Sequence, residues 1–169
     1  PNVLSEGPPK AVIAGYATDP RTPYLNRPIQ GLYTPGSIVK PLEAAGALTD
    51  GIITPDTTIV SNGFISVPNP YDPKNPSIFK DWKALGALDL RHAIGWSSDV
   101  YFYTVGGGYG SQKGLGIDRL DYWFRTFGLT SPTGINLSGE NHGFLPTPEW
   151  KQKTYGDPWR IGDTYHTAI

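Results

Sequence analysis

The sequence predicts a mixed α/β fold, built as about half of an α/β domain whose sheet would be completed by strands following residue 169. Three observations lead there. Strand-like runs occur only in the first part of the chain, at Ala11–Ala17 and Thr57–Val60. A Pro-Gly turn at Pro35 and Gly36 opens one helix, and a long irregular stretch then separates it from the rest. From residue 88 onward the apolar residues recur with helical spacing.

Taken in order, residues 1–9 read as a tail or linker, and Ala11–Ala17 reads as a buried strand weakened by Gly15. DPRTP at 19–23 is a turn leading to the next segment. After Ser37, the residues Ile38, Val39, Leu42, Ala45 and Leu48 form the predicted core stripe of a helix. Pro41 is tolerated in its first turn and Gly51 stops it. Thr57–Val60 suits a sheet edge, whereas the four prolines of Pro68–Pro76 force irregular surface. Asp89 caps a helix carrying Leu90, Ala93 and Ile94. Val100–Val105 makes a second short helix ended by Gly106, Gly107 and Gly108, and Ser97, Ser98 and Asp99 lie on a loop or at the helix start. Ile117, Leu120, Trp123, Phe124 and Phe127 form an amphipathic helix with Gly128 as its C-cap. Thr147-Pro148 starts another, and Asp163 caps the last.

The chemistry centres on Tyr33–Pro41, YTPGSIVKP. Positions three apart share a helix face, so Ser37 and Lys40 can pair as nucleophile and base. A serine hydroxyl attacks poorly unless a neighbour takes its proton, and lysine does so only when its surroundings favour the neutral amine. A helix start adds unpaired N–H groups that stabilise an oxyanion, which is what acyl transfer needs. The pattern is weak alone, because ten Ser and eight Lys supply roughly one chance match in every two such chains. A second copy, Ser77 to Lys80, follows the proline-rich stretch with no helix to align it. The local pattern around Ser37 fits equally an ordinary core helix that carries Ser and Lys.

Composition narrows the field. At 169 residues the chain is one domain, and net charge −1 with no basic block argues against nucleic acid as a partner. Absence of Cys excludes disulfides and thiolate metal sites and fits a life outside the cytoplasm. Absence of Met suggests an excised piece of a longer protein whose targeting segment lies upstream. His92, His142 and His166 do not neighbour a serine as a triad would, and Asp72, Asp81 and His92 read as solvated loop residues rather than metal ligands. Tyr101, Phe102 and Tyr103 read as core.

Six blocks in order carry a family likeness: PGSIVKP at 35–41, SSDVYFY at 97–103, GIDRL at 116–120, FGLTSPTGI at 127–135, PTPEWKQK at 146–153 and GDT at 162–164. From Leu25 to its end the chain resembles the transpeptidase domain of class B penicillin-binding proteins, above all the elongation type. The resemblance implies a penicillin-binding-protein/β-lactamase-like fold, with an antiparallel sheet flanked by helices, a helical subdomain and C-terminal strands missing. It implies one incomplete domain over residues 1–169: an early strand and connection (1–24), the nucleophile helix region (25–60), an irregular loop (61–87), and a helical subdomain with its return (88–169).

By the same resemblance Ser37 is the nucleophile, acylated by the penultimate D-Ala of a peptidoglycan stem peptide or by a β-lactam, and Lys40 is its general base. Ser97 relays a proton to the leaving group, and Asp99 stands where many relatives have Asn. Read from the residues alone, Ser97 and Asp99 fit a helix cap better than a catalytic role, and the resemblance reverses that order. A carboxylate near Lys40 would favour the ammonium, so either Asp99 points elsewhere or the two titrate together. No cofactor is implied. The implied partners are the stem peptide, β-lactam antibiotics and a membrane glycosyltransferase of the elongation machinery. The implied location is extracytoplasmic, in the periplasm or on the outer face of the bacterial cell membrane, with the parent anchored by an N-terminal transmembrane helix not present here.

Three departures bear on this. The family's third motif, K-T-G, is missing, since Lys153-Thr154-Tyr155 lacks the glycine, and the chain alone is therefore expected to acylate poorly. The connection Asp19–Leu25 is shorter than the family's, and the first ten residues match no block. The rivals are a β-lactamase or D,D-carboxypeptidase of the same fold, and a non-catalytic module that senses β-lactams or scaffolds wall synthesis.

Overall fold

The apolar and small residues between Asp99 and Gly107 set the centre of the structure. A computed structural model describes residues 2–169. In order it contains α1 (Asn2–Ser5), α2 (Lys10–Thr18), α3 (Arg27–Gln30), a 3₁₀ turn (Gly36–Val39), α4 (Lys40–Thr49), β1 (Ile59–Ser61), β2 (Phe64–Val67), β3 (Ser77–Lys80), β4 (Gly86–Leu88), α5 (Leu90–Gly95), α6 (Asp99–Gly107), α7 (Gly116–Thr126), α8 (Pro148–Tyr155) and α9 (Ile161–Thr167). The fold is mixed α/β, and every strand pair is antiparallel: β1 with β4, and β2 with β3.

The chain divides into two units. One comprises residues 1–34 and 132–143, the other residues 35–131 and 144–169. In the first, Tyr24 Oη donates to the Ile13 carbonyl at 3.0 Å, and Asn141 donates from its backbone N–H to the Ile29 carbonyl and from its amide to that of Gln30. None of its described residues is fully buried. The buried strand expected at Ala11–Ala17 is instead the exposed helix α2. Alanine-rich sequence satisfies its own backbone hydrogen bonds as a helix, whereas a strand needs a neighbour to pair with. Of the expected tail, Pro1 lies outside the described residues and Asn2–Ser5 make one helical turn.

The second unit holds the core. Residues Val100 through Gly106 of α6 are all buried, as expected of a helix apolar on every side. Val39, Ala44 and Ala47 from the α4 region, Leu90 and Ala93 from α5, Leu120 and Phe124 from α7, and Ala168 cluster with Tyr101, Phe102 and Val105, while Val100 and Tyr103 pack with Ile65 and Tyr165. Small residues let these helices approach closely: a Cβ on Gly46 would lie 2.5 Å from the Trp123 ring, and one on Gly106 would lie 2.6 Å from Ala168. The C-terminal end of α4 is tied to α7 by Arg119, which grips Asp50 through two nitrogens at 2.7 Å, while Trp123 Nε1 donates to the same carboxylate.

The expected caps of α5 and α8 form, with Asp89 accepting from the His92 N–H and Thr147 from that of Trp150. Asp163 differs. It lies inside α9 and accepts from the Arg160 N–H at 2.7 Å, because a third-position carboxylate can reach back to the helix start.

Candidate active site

Gly36, at φ +61°, makes the turn that starts the site. The 3₁₀ turn follows, with the Lys40 N–H donating to the Ser37 carbonyl, and α4 begins directly at Lys40. This junction changes the face that α4 buries. Of the expected stripe, Ile38 is 75% exposed and Leu48 37%, while Lys40, Glu43, Ala44, Gly46 and Ala47 are buried. Three residues per turn before Lys40, and 3.6 after it, leave Ile38 outside the buried face, while Val39 stays in the core and Leu42 packs against it. The helix turns a lysine and a glutamate inward where the pattern expected leucine and isoleucine.

Lys40 is 2% exposed and its ammonium is fully engaged. Nζ donates to the Ser97 carbonyl at 2.8 Å, to Ser97 Oγ at 3.2 Å and to Asp99 Oδ1 at 2.5 Å, which accounts for all three of its N–H groups. It also lies 5.6 Å from the centre of the Phe102 ring. Of the four residues singled out in the sequence, the structure brings Lys40, Ser97 and Asp99 together. Ser37 is exposed just before α4, and its Oγ makes no hydrogen bond among the described residues. Between the two possibilities left open for Asp99, its carboxylate points at Lys40.

The loop that presents Ser97 is held under strain. Ser97 has φ +53°, a conformation costing a non-glycine residue about 1–3 kcal/mol, and that twist turns both its carbonyl and its hydroxyl toward Lys40. The cap of α6 is Ser98, one residue from the two proposed as caps, and its Oγ accepts from the Tyr101 N–H.

Asp81 fixes this arrangement, and the expectation that it is a solvated loop residue is corrected. It is 8% exposed. Its carboxylate accepts from Ser98 Oγ at 2.6 Å, Ser61 Oγ at 2.9 Å, and the backbone N–H groups of Trp82, Asp99 and Val100 at 3.0–3.2 Å. Burial pushes its carboxyl up, but these donors, led by Ser98 and Ser61, outweigh burial and hold it below the ordinary 3.8. Its negative charge also sits at the positive end of α6. No local pattern announces this role, since Ser61 and Ser98 lie 20 and 17 positions away.

Glu43 is the second residue that sequence reasoning missed. It is fully buried one turn after Lys40, and neither carboxyl oxygen has a hydrogen-bond partner among the described residues. Burial raises its carboxyl well above the ordinary 4.5, against the pull of Lys40. Gly106 makes room for it, because a Cβ there would come within 3.1 Å of Oε1. Its signal was its spacing, three residues after Lys40 and beside Ala44 and Ala47 on one face. Among the described residues no group of three His, Cys, Asp or Glu is placed to hold a metal ion.

An exposed hydroxyl thus lies one turn before a buried lysine, and on that lysine close a second hydroxyl from the loop before α6 and a carboxylate from the first residue of α6. The family model for the penicillin binding protein transpeptidase domain matches residues 4–165. The chain belongs to that family. The penicillin-binding transpeptidase likeness extends to curated relatives and to solved structures. Peptidoglycan D,D-transpeptidase MrdA of Haemophilus influenzae is 44% identical over 87% of this chain and 21% of its own length. MrdA of Escherichia coli is 37% identical over the whole of this chain and 25% of its own length. Penicillin-binding protein PBP2 of Helicobacter pylori, solved alone and in complex with MreC, superposes with a TM-score of 0.81 at 35% identity, covering 96% of this chain and 29% of that one. This chain thus spans about a fifth to a quarter of the curated relatives' length.

Proposed function

We propose that the chain is the part of a peptidoglycan D,D-transpeptidase that carries the nucleophile, its base and its proton relay. The observation that supports this most is the burial of Lys40 against Ser97 and Asp99, one turn after an exposed serine. In this reading Lys40, acting as the neutral amine, takes the proton of Ser37, and Asp99, 2.5 Å away, stabilises the ammonium that results. Ser37 Oγ bonds to the carbonyl carbon of the penultimate D-Ala of a stem peptide and the peptide C–N bond breaks. The departing D-Ala amine receives the proton through Lys40 and the Ser97 hydroxyl. An amine from a second stem peptide then displaces Ser37, forming the cross-link and returning the proton to the serine. A β-lactam opens on the same hydroxyl and stays.

The reaction belongs outside the cytoplasm, and the reading includes a membrane glycosyltransferase partner and a protein partner of the kind represented by MreC, with which the Helicobacter pylori protein is solved. Among the described residues no helix is long and apolar enough to cross a membrane, so an anchor belongs to the proposal alone. The test is labelling of the full-length protein with a fluorescent penicillin, followed by mass mapping of the modified peptide. A lasting adduct on Ser37 is expected. Release of the label within seconds would instead favour a β-lactamase, and an adduct elsewhere would overturn the reading.

A further inference from the structure

Beside the site lies a feature that the acyl-transfer steps do not use. Trp82 directly follows Asp81, Trp96 directly precedes Ser97, and each remains half exposed, at 56% and 50%. Trp82 Nε1 donates to the Trp96 carbonyl at 3.0 Å, and the two indoles stack with centroids 6.3 Å apart and planes inclined by 28°. Lys83 Nζ lies 4.4 Å from one ring centre and 4.7 Å from the other. Two large apolar faces left in water next to reactive groups mark a binding surface rather than a core. Their anchorage is the same one that positions Ser97 and Asp99, since Asp81 accepts from the N–H groups of both Trp82 and Asp99. The platform and the reacting groups are therefore held in one register.

We propose that Trp82, Trp96 and Lys83 form a subsite for the acyl donor, binding a planar substituent that carries a carboxylate and is attached next to the reacting carbonyl. This rests on the transpeptidase reading and names which part of the donor the chain recognises. The flat faces suit an amide or an aromatic ring. Charge decides the rest. Lys83, like Lys74 and Lys80, has no carboxylate partner among the described residues, but unlike them it lies over two indole rings, so an incoming anion meets an ammonium already oriented by both. Such a substituent occurs in two sources, the stem-peptide residue preceding the D-Ala pair and the side chain of a β-lactam.

The test uses the full-length protein and two penicillins that differ by one carboxylate, benzylpenicillin and carbenicillin, with acylation rate constants measured for each. Replacing Lys83 by Met is expected to lower the carbenicillin-to-benzylpenicillin ratio by about three- to fivefold, the size of a partly exposed ion pair. The ratio should recover in Lys83→Arg and stay unchanged in Lys74→Met, a lysine on the exposed loop between β2 and β3. Trp96→Leu should slow both penicillins by about tenfold or less, through loss of a stacking face. A parallel arm compares D-Ala-D-Ala peptides with and without a carboxylate on the preceding residue. A Lys83-dependent preference there assigns the subsite to the stem peptide, and one confined to penicillins assigns it to the drug side chain. An unchanged ratio in both arms, while Ser37 still acylates, overturns the subsite alone. Failure of wild-type protein to acylate with either penicillin would overturn the transpeptidase reading instead.

Discussion

Ser37 and Lys40 lie three positions apart, as do Ser77 and Lys80, but the first pair spans the junction of a 3₁₀ turn with α4 and the second runs along β3. On a strand, positions three apart point to opposite faces, so Ser77 and Lys80 cannot meet, and both are exposed. Ser37 is also exposed, so the serines alone do not distinguish the copies. The lysines do. Lys40 is buried and bound at all three hydrogens by Ser97 and Asp99, whereas Lys80 sits in solvent with no ion-pair partner among the described residues. What separates a motif from a coincidence here is the loop that leads into α6 together with that helix's first residue, which deliver acceptors to the lysine.

The largest effect should come from the serines. Ser37→Ala is expected to reduce penicillin acylation at least about 10⁴-fold, as loss of a nucleophile does, while Ser77→Ala leaves the rate unchanged. Equal effects would erase the distinction between the copies. Next, Lys40→Met should slow acylation by about 10²–10⁴-fold, the range of a lost general base, and Lys80→Met should not, both read from single-turnover labelling.

Asp81→Ala sharpens the comparison further, because it removes the anchor of the α6 loop and leaves Lys40 in place. It strands several buried donors at once, and a loss of about 3 kcal/mol in chemical denaturation is expected, with slower acylation through misplacement of Ser97. The sign of its pH dependence follows from the depressed carboxyl. The stabilisation is complete above the ordinary 3.8 and disappears as pH falls through the lower folded value, so Asp81→Asn should flatten that acid limb.

The smallest effect concerns Glu43. With its carboxyl raised above the ordinary 4.5, the folded chain keeps a proton that the unfolded chain releases, and stability therefore falls as pH rises from 4.5 toward the folded value. Glu43→Met should gain about 1–3 kcal/mol at neutral pH by removing an unpartnered buried polar group, and the gain should shrink below pH 4.5. A loss of stability instead would mean that Glu43 has a partner in solution.

Much of this architecture was legible along the chain. The start of α4 at a Pro-Gly turn, the all-round apolar α6 closed by glycines, the amphipathic α7, and the caps at Asp89 and Thr147 all follow from bonds between residues a few positions apart. The candidates Ser37, Lys40, Ser97 and Asp99 were nameable from spacing and family blocks for the same reason. Tertiary structure alone decided that α4 buries Lys40 and Glu43 rather than Ile38 and Leu48, that Asp81 is an anchor, and that two tryptophans and Lys83 meet beside Ser97. Those outcomes depend on partners 14 to 59 positions away. Local preference reads the geometry of a turn, but the energy of a buried charge is set by whichever distant groups the fold brings to it.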